Sequence, residues 1–116
     1  MIHVLVVPET DEFKESVSHE DTILINLSLG NPKLKHWSAR YVTPCWIYGK
    51  EPGARRIYHI LAVGNDGEST VLTLGNSFLL PEVWNGMGQS RRFEYHPLRN
   101  FGFVEVQEGF LMKFKV

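Results

Sequence analysis

The chain has 116 residues, 43% of them apolar and 22% charged, with a formal net charge of −1 and one cysteine. A single domain spanning 1–116 follows, with enough surface to bury that no covalent staple is needed. The lone Cys45 excludes an internal disulfide, and no apolar run approaches the roughly 20 residues that cross a bilayer. The opening MIHVLVVPETDE has no basic segment of the signal-peptide kind, so the expected setting is cytoplasmic, without a membrane partner. Charge is unevenly spread: residues 1–30 hold six acids against Lys14, whereas residues 31–104 hold nine Lys and Arg against five acids. An anionic partner for the middle of the chain fits this asymmetry, as does a pair of solvated, oppositely charged surfaces.

In chain order, IHVLVV (residues 2–7) is too short for a buried helix and reads as a buried strand ending at Pro8. Thr10 is a helix N-cap, with Asp11 and Glu12 favoured in the first turn by the macrodipole, and Phe13 and Val17 lie one turn apart. TILINLSL (22–29) is a further strand, and Gly30-Asn31-Pro32 is a turn leading to the basic link Lys33-Leu34-Lys35-His36. Residues 37–74 then read as a three-stranded antiparallel meander. WSARYVTPCWIYG is its first strand, RRIYHILAVG its second and ESTVLTL its third. GKEPGA forms the first turn, and GNDG (64–67), whose Asp66-Gly67 pair tolerates φ > 0, forms the second.

The middle strand is apolar on both faces, with Ile57, Leu61 and Val63 on one and Tyr58, Ile60 and Ala62 on the other. Such a strand is central or part of a closed barrel. Pro44 removes a ladder donor, so its strand is an edge there or bulges and re-aims Cys45 and Trp46. Gly75-Asn76 reads as a tight turn, residues 77–80 as a return strand, 81–84 as one helical turn and 85–90 as a loop. RRFEY is a strand, with Phe93 and Tyr95 inward and Arg92, Glu94 and His96 outward. A His96-Pro97 corner, a loop, the strand FVEV, a Gln107-Glu108-Gly109 turn and the strand FLMKFKV complete the chain. The expected fold is mainly β: a compact β-barrel or strongly curved mixed sheet with one or two short helices.

Catalytic motifs are absent. The five histidines show no His-x-x-x-His or His-x-His spacing, and no cysteine pair supports zinc, so no metal or other cofactor is expected. His59 alternates with Ile57 and Leu61 and reads as a core histidine bonded to a carbonyl. Cys45 reads as inert packing. Asn85-Gly86-Met87-Gly88 is a weak anion loop, better taken as plain connection. The remaining candidates are aromatic and basic: Trp46, Tyr48, Arg55, Arg56, Trp84, Arg91, Arg92, Tyr95 and His96. Aromatic faces stack bases and guanidinium forks take phosphate.

An early strand, then Trp37-Ser38-Ala39-Arg40, an aromatic strand reaching Tyr48 and a basic hairpin into IYHILAV together resemble the front half of PUA-like domains of the EVE and ASCH branches. That resemblance covers about half the chain. It implies a pseudobarrel with a pocket for a nucleobase, often modified, or binding of RNA or of damaged or modified DNA, with Trp37, Arg40, Trp46 and Tyr48 near the cavity. The reading is therefore a non-enzymatic binding module for nucleic acid or a nucleotide-like ligand. The alternatives are a small metal-independent ribonuclease using His59 or His96 with Arg91, Arg92 and Glu94, or a structural or protein-interaction domain whose contact is the acidic N-terminal segment or an exposed edge strand open to self-association.

Overall fold

The computed structural model describes residues 2–8, 22–25, 39–46, 52–66, 69–86 and 94–113. The expected helix from Thr10, the Gly30-Asn31-Pro32 turn, residues 49–51 of the GKEPGA turn, residues 87–93 and the last three residues lie outside these segments. Within them the chain forms β1 (His3–Pro8), β2 (Thr22–Ile25), β3 (Ala39–Trp46), β4 (Gly53–Asp66), β5 (Ser69–Trp84), β6 (Glu94–Pro97), β7 (Phe103–Gln107) and β8 (Phe110–Lys113). A 3-10 turn, Leu98–Phe101, joins β6 to β7 and ends on Gly102 in the left-handed conformation at φ 84°. The described fold is mainly β, with one sheet in the order β2-β5-β4-β3-β1-β6 and a separate β7-β8 hairpin.

The apolar run at the N-terminus explains how the sheet carries a core on each face. β1 lies parallel to β3 and antiparallel to β6, and Val4, Leu5, Val6 and Val7 are all buried. A strand with both faces covered needs continuous rather than alternating hydrophobicity. Its alternate residues feed two cores. Val4 and Val6 join Tyr41, Cys45, Ile57, Leu98, Phe101, Phe103 and Leu111 on one face. Leu5 and Val7 join Ala39, Val42, Ile60, Leu72 and Leu74 on the other. The 3-10 turn and the hairpin supply the upper layer of the first core, which fixes their position against the sheet.

Irregularities in the ladder bend this sheet. Register slips between Val42 and Cys45 against β4, where Pro44 cannot donate. The buried Thr43 hydroxyl donates to the Arg56 carbonyl there at 2.6 Å, satisfying a group the slipped ladder would strand. Pro44 therefore marks a bulge inside the sheet, because β3 is flanked by β1 and β4. Further slips occur along β4-β5, and each adds local twist. In a flat sheet, β5 and β6 would lie about 19 Å apart, four spacings of ~4.8 Å. Instead the rings of Trp84 on β5 and His96 on β6 are 4.8 Å apart. The sheet is strongly curled yet open: its strand order runs from β2 to β6 without returning, so it is not a closed barrel.

Four expectations change. Residues 81–84 continue β5 as strand, and Gly75-Asn76 lies inside it; both stretches sit at register slips, not at a helix or a turn. Residues 64–66 of the expected GNDG turn continue β4 as strand, with Asp66 paired to Ser69, and Gly67 lies outside the described residues. Leu61 and Val63 are 60% and 40% exposed, since the slip after Ile60 carries this end of β4 beyond the double-sided core. Finally, β6 packs on both faces: Tyr95 lies against the second core, while His96 turns inward to Trp84 and Phe101.

Candidate functional site

The candidate residues at one end of the sheet come from three neighbouring strands. Trp46, at the end of β3, is paired with Gly53, and Ala54 is paired with Trp84 at the end of β5. Trp46, Arg55 and Trp84 thus share one end of the sheet. Gly53 makes this closeness possible, having φ of 138° and a position where a Cβ would collide with Val83 Cγ1. Gly86, just beyond Trp84, has the same role, because a Cβ there would stand 2.7 Å from the indole Cζ2.

His96 reaches this end from β6. It is paired with Val4, which belongs to the first core, so its ring faces that layer. The imidazole meets the Trp84 indole edge-on at 4.8 Å and 66°. Phe101 completes the cluster at 4.8 Å from Trp84. Glu94 Oε1 lies 3.3 Å from His96 Nε2, with the two side chains 33% and 24% exposed respectively. Edge-to-face geometry sets the positive ring edge against the negative face, and it leaves the indole half-buried here. Arg55, next to Ala54 in β4, is exposed, with Nη1 3.4 Å from the Gly53 carbonyl.

Other predicted site residues lie elsewhere. Arg56 donates to Ser77 Oγ at 2.9 Å, across β4 and β5. Arg40 binds Glu105 Oε1 at 2.7 Å, toward the other end of β3 from Trp46. Trp37, Tyr48, Arg91 and Arg92 are outside the described residues.

The structure also holds a polar cluster that sequence patterns do not assemble. His3 pairs with Ala39 and Val4 with Tyr41, so Arg40 is the extra residue of a bulge. Such a bulge lets adjacent side chains lean the same way, and both Arg40 and Tyr41 reach Glu105. The Tyr41 hydroxyl donates to Glu105 Oε2 at 2.7 Å and accepts the Gly109 N–H at 3.2 Å. Asn76 Nδ2 donates to the Gly109 carbonyl at 3.1 Å. Under the turn lies His59, 8% exposed and 5.3 Å from the Tyr41 ring. Among the described residues it makes no hydrogen bond to a carbonyl; ring packing takes the place of the expected bond. Burial, followed by the hydrogen bond to the Glu105 carboxylate, pushes the Tyr41 phenol far above the usual tyrosine range. Charged Glu105 is 8% exposed yet doubly bonded, as a buried carboxylate must be.

Chemically, this second cluster is saturated, and it fastens β7-β8 to the sheet. Its signals in the sequence are faint: Glu105 alternates with Phe103, and Gly109 is a turn glycine. No group of three or more His, Cys, Asp or Glu converges as a metal site among the described residues, nor is any described helix long and apolar enough to cross a membrane. No protein-family profile, curated protein or solved structure matches the chain.

Proposed function

We propose that the chain is a non-enzymatic binding module that takes a nucleobase, free as a nucleotide or within RNA or DNA, at the Trp46–Arg55–Trp84–His96 end of its sheet. The observation that carries this reading is the half-buried Trp84 indole, held edge-on by His96 at the end of the sheet that also carries exposed Arg55. An indole fixed in this way offers a stacking face at little further entropic cost, and a nearby guanidinium suits a phosphate. The PUA-like resemblance, which rests on sequence pattern alone, points to the same class of ligand.

Titration of tryptophan fluorescence with short RNA and DNA oligonucleotides at two salt concentrations tests the proposal. Quenching that weakens as salt rises is expected, together with its loss in Trp84→Leu. Quenching unchanged by that substitution, or no binding of any oligonucleotide or nucleotide, overturns it. A second reading draws on the partly exposed His96–Glu94 pair, which has the form of an acid–base couple. RNA left intact by wild type rejects it. Cleavage abolished by His96→Ala would favour it. His59 does not enter that reading, since it is buried between Tyr41 and Gly109.

A further inference from the structure

β7 is paired on one side only. β8 forms its ladder there, and among the described residues no strand lies along the other edge. Phe103, Val104 and Glu105 of β7 line an apolar cleft of about 170 Å³ together with Ile2, Leu98 and Arg99. Successive side chains of a strand point to opposite faces, so a cleft that touches three in a row runs along the backbone edge. The Leu98 N–H donates to the Ile2 carbonyl at 2.9 Å, which ties together the two chain segments that line the cleft with β7. β7 reads FVEVQ, without the lysine or proline that commonly blunts an edge. Its one register slip falls between Glu105 and Gln107, beyond the three cleft residues. The rim is cationic. Glu105 is already bonded to exposed Arg40 and to Tyr41, and exposed Arg99 adds a second guanidinium beside this single carboxylate.

We infer that this edge and its cleft receive an extended acidic peptide segment of a partner protein, which adds a strand to β7 and seats one aliphatic side chain in the cleft. Each feature selects one property of the occupant. The unpaired N–H and C=O groups of an edge recognise another extended backbone, whatever its sequence. An apolar cleft of this size holds a single aliphatic or phenyl-sized group. Strand alternation turns only every second side chain of the occupant toward it. The residues on either side of that anchor stand outside, where Asp or Glu answers the two guanidiniums and Lys or Arg would meet like charge. A small apolar anion would match cleft and rim but leave the strand edge unpaired, so the edge decides for a peptide. Contact along three residues is well below a standard interface, and a Kd on the order of 100 μM follows. None of the Trp84-cluster residues takes part, so this site stands independently of the nucleobase site.

Fluorescence anisotropy of the full chain with a labelled, acetylated and amidated peptide, Gly-Glu-Asp-Ile-Asp-Glu-Gly, tests the inference. Binding that weakens as salt rises is expected. Two further peptides carry N-methyl groups on alternate amides, in opposite phase. Only one edge of an added strand faces β7, so one phase should lose at least ~10-fold in affinity and the other should bind nearly as the parent does. A peptide with Lys in place of every acid should bind at least ~10-fold more weakly, and Arg99→Glu should weaken the parent peptide by about 5–10-fold. Circular dichroism checks the fold of that variant, and the peptide series leaves the protein unchanged. Hydrogen exchange should slow at residues 103–106 when the parent peptide is bound. No binding at about 1 mM peptide overturns the inference. So do equal affinities for the two methylated phases, undiminished binding of the Lys peptide or by folded Arg99→Glu, and protection that appears on β2 or β6 but not on β7.

Discussion

Two ends of one sheet carry similar residue types and use them differently. At one end, Tyr41, His59 and Glu105 are closed beneath the β7-β8 turn with exposed Arg40 bonded at the edge, and the hydroxyl and carboxylate are each engaged twice. At the other, Trp84, His96, Glu94 and Arg55 lie in contact or close along the ladder but retain solvent access. An aromatic residue, an imidazole, a carboxylate and a guanidinium therefore do not define a binding site by composition. What differs is saturation and burial. Groups whose partners are all within the chain hold the fold, while groups with a face left over are able to receive a ligand.

The largest way to break this contrast is at Tyr41, which is fully buried. Tyr41→Ala should cost about 3–5 kcal/mol in urea unfolding, from the lost ring and the cavity left behind. Tyr41→Phe should cost about 1.5–3 kcal/mol, because the Gly109 N–H and one Glu105 oxygen lose their buried partner. A Phe variant as stable as wild type would mean that the network does not fasten the hairpin.

Next comes Gly109, with φ of 85° and a Cβ position only 2.8 Å from His59 Nδ1. Gly109→Ala should cost about 1–3 kcal/mol, combining left-handed strain with that collision. Adding His59→Ala should relieve the collision but not the strain, so the two changes should be less than additive in a double-mutant cycle.

Local signals in the sequence reach some of this structure and miss the rest. The run Val4–Val7 is legible as buried because an unbroken apolar segment bounded by proline says so without knowledge of its neighbours. Pro44 announces a bulge, and Gly109 a turn, for equally local reasons. Trp84 and His96 are both legible as candidates, but their contact depends on the curl accumulated over successive strands. The Arg40–Glu105 bond spans 65 positions and needs the Arg40 bulge, whose register is set by pairing with β1. Leu61 and Val63 mislead for a related reason: alternation reports which residues share a face, not whether another layer extends far enough to cover it.

High pH sharpens the comparison through ionisation alone. Tyr41 is raised by burial and by Glu105, and Tyr95 by burial. Folding then keeps both phenols neutral where the unfolded chain would release their protons. Their stabilising contribution is complete below the unfolded value of about 10. It declines as pH rises from there toward the folded values, by up to ~1.4 kcal/mol per pH unit for each group. Unfolding measured between neutral pH and pH 11 should show that decline, and Tyr41→Phe should make it shallower. A slope unchanged by the substitution would remove Tyr41 from the fastening.

The smallest effect on stability is expected at the open end. His96→Ala removes an edge-on contact with Trp84 and a partly exposed pairing with Glu94. The ring contact is worth about 0.5–1.5 kcal/mol and the ion pair ~0–1 kcal/mol, and solvent replaces some of both. A net cost near ~1 kcal/mol follows, below that of either Tyr41 change. Binding should move the other way: without the imidazole edge the indole gains rotamers, and ordering it again on contact with a base costs affinity of about 5–10-fold. If His96→Ala destabilises as strongly as Tyr41→Phe while nucleotide quenching is unchanged, both ends are fastenings. The division between saturated and receptive groups would then be lost.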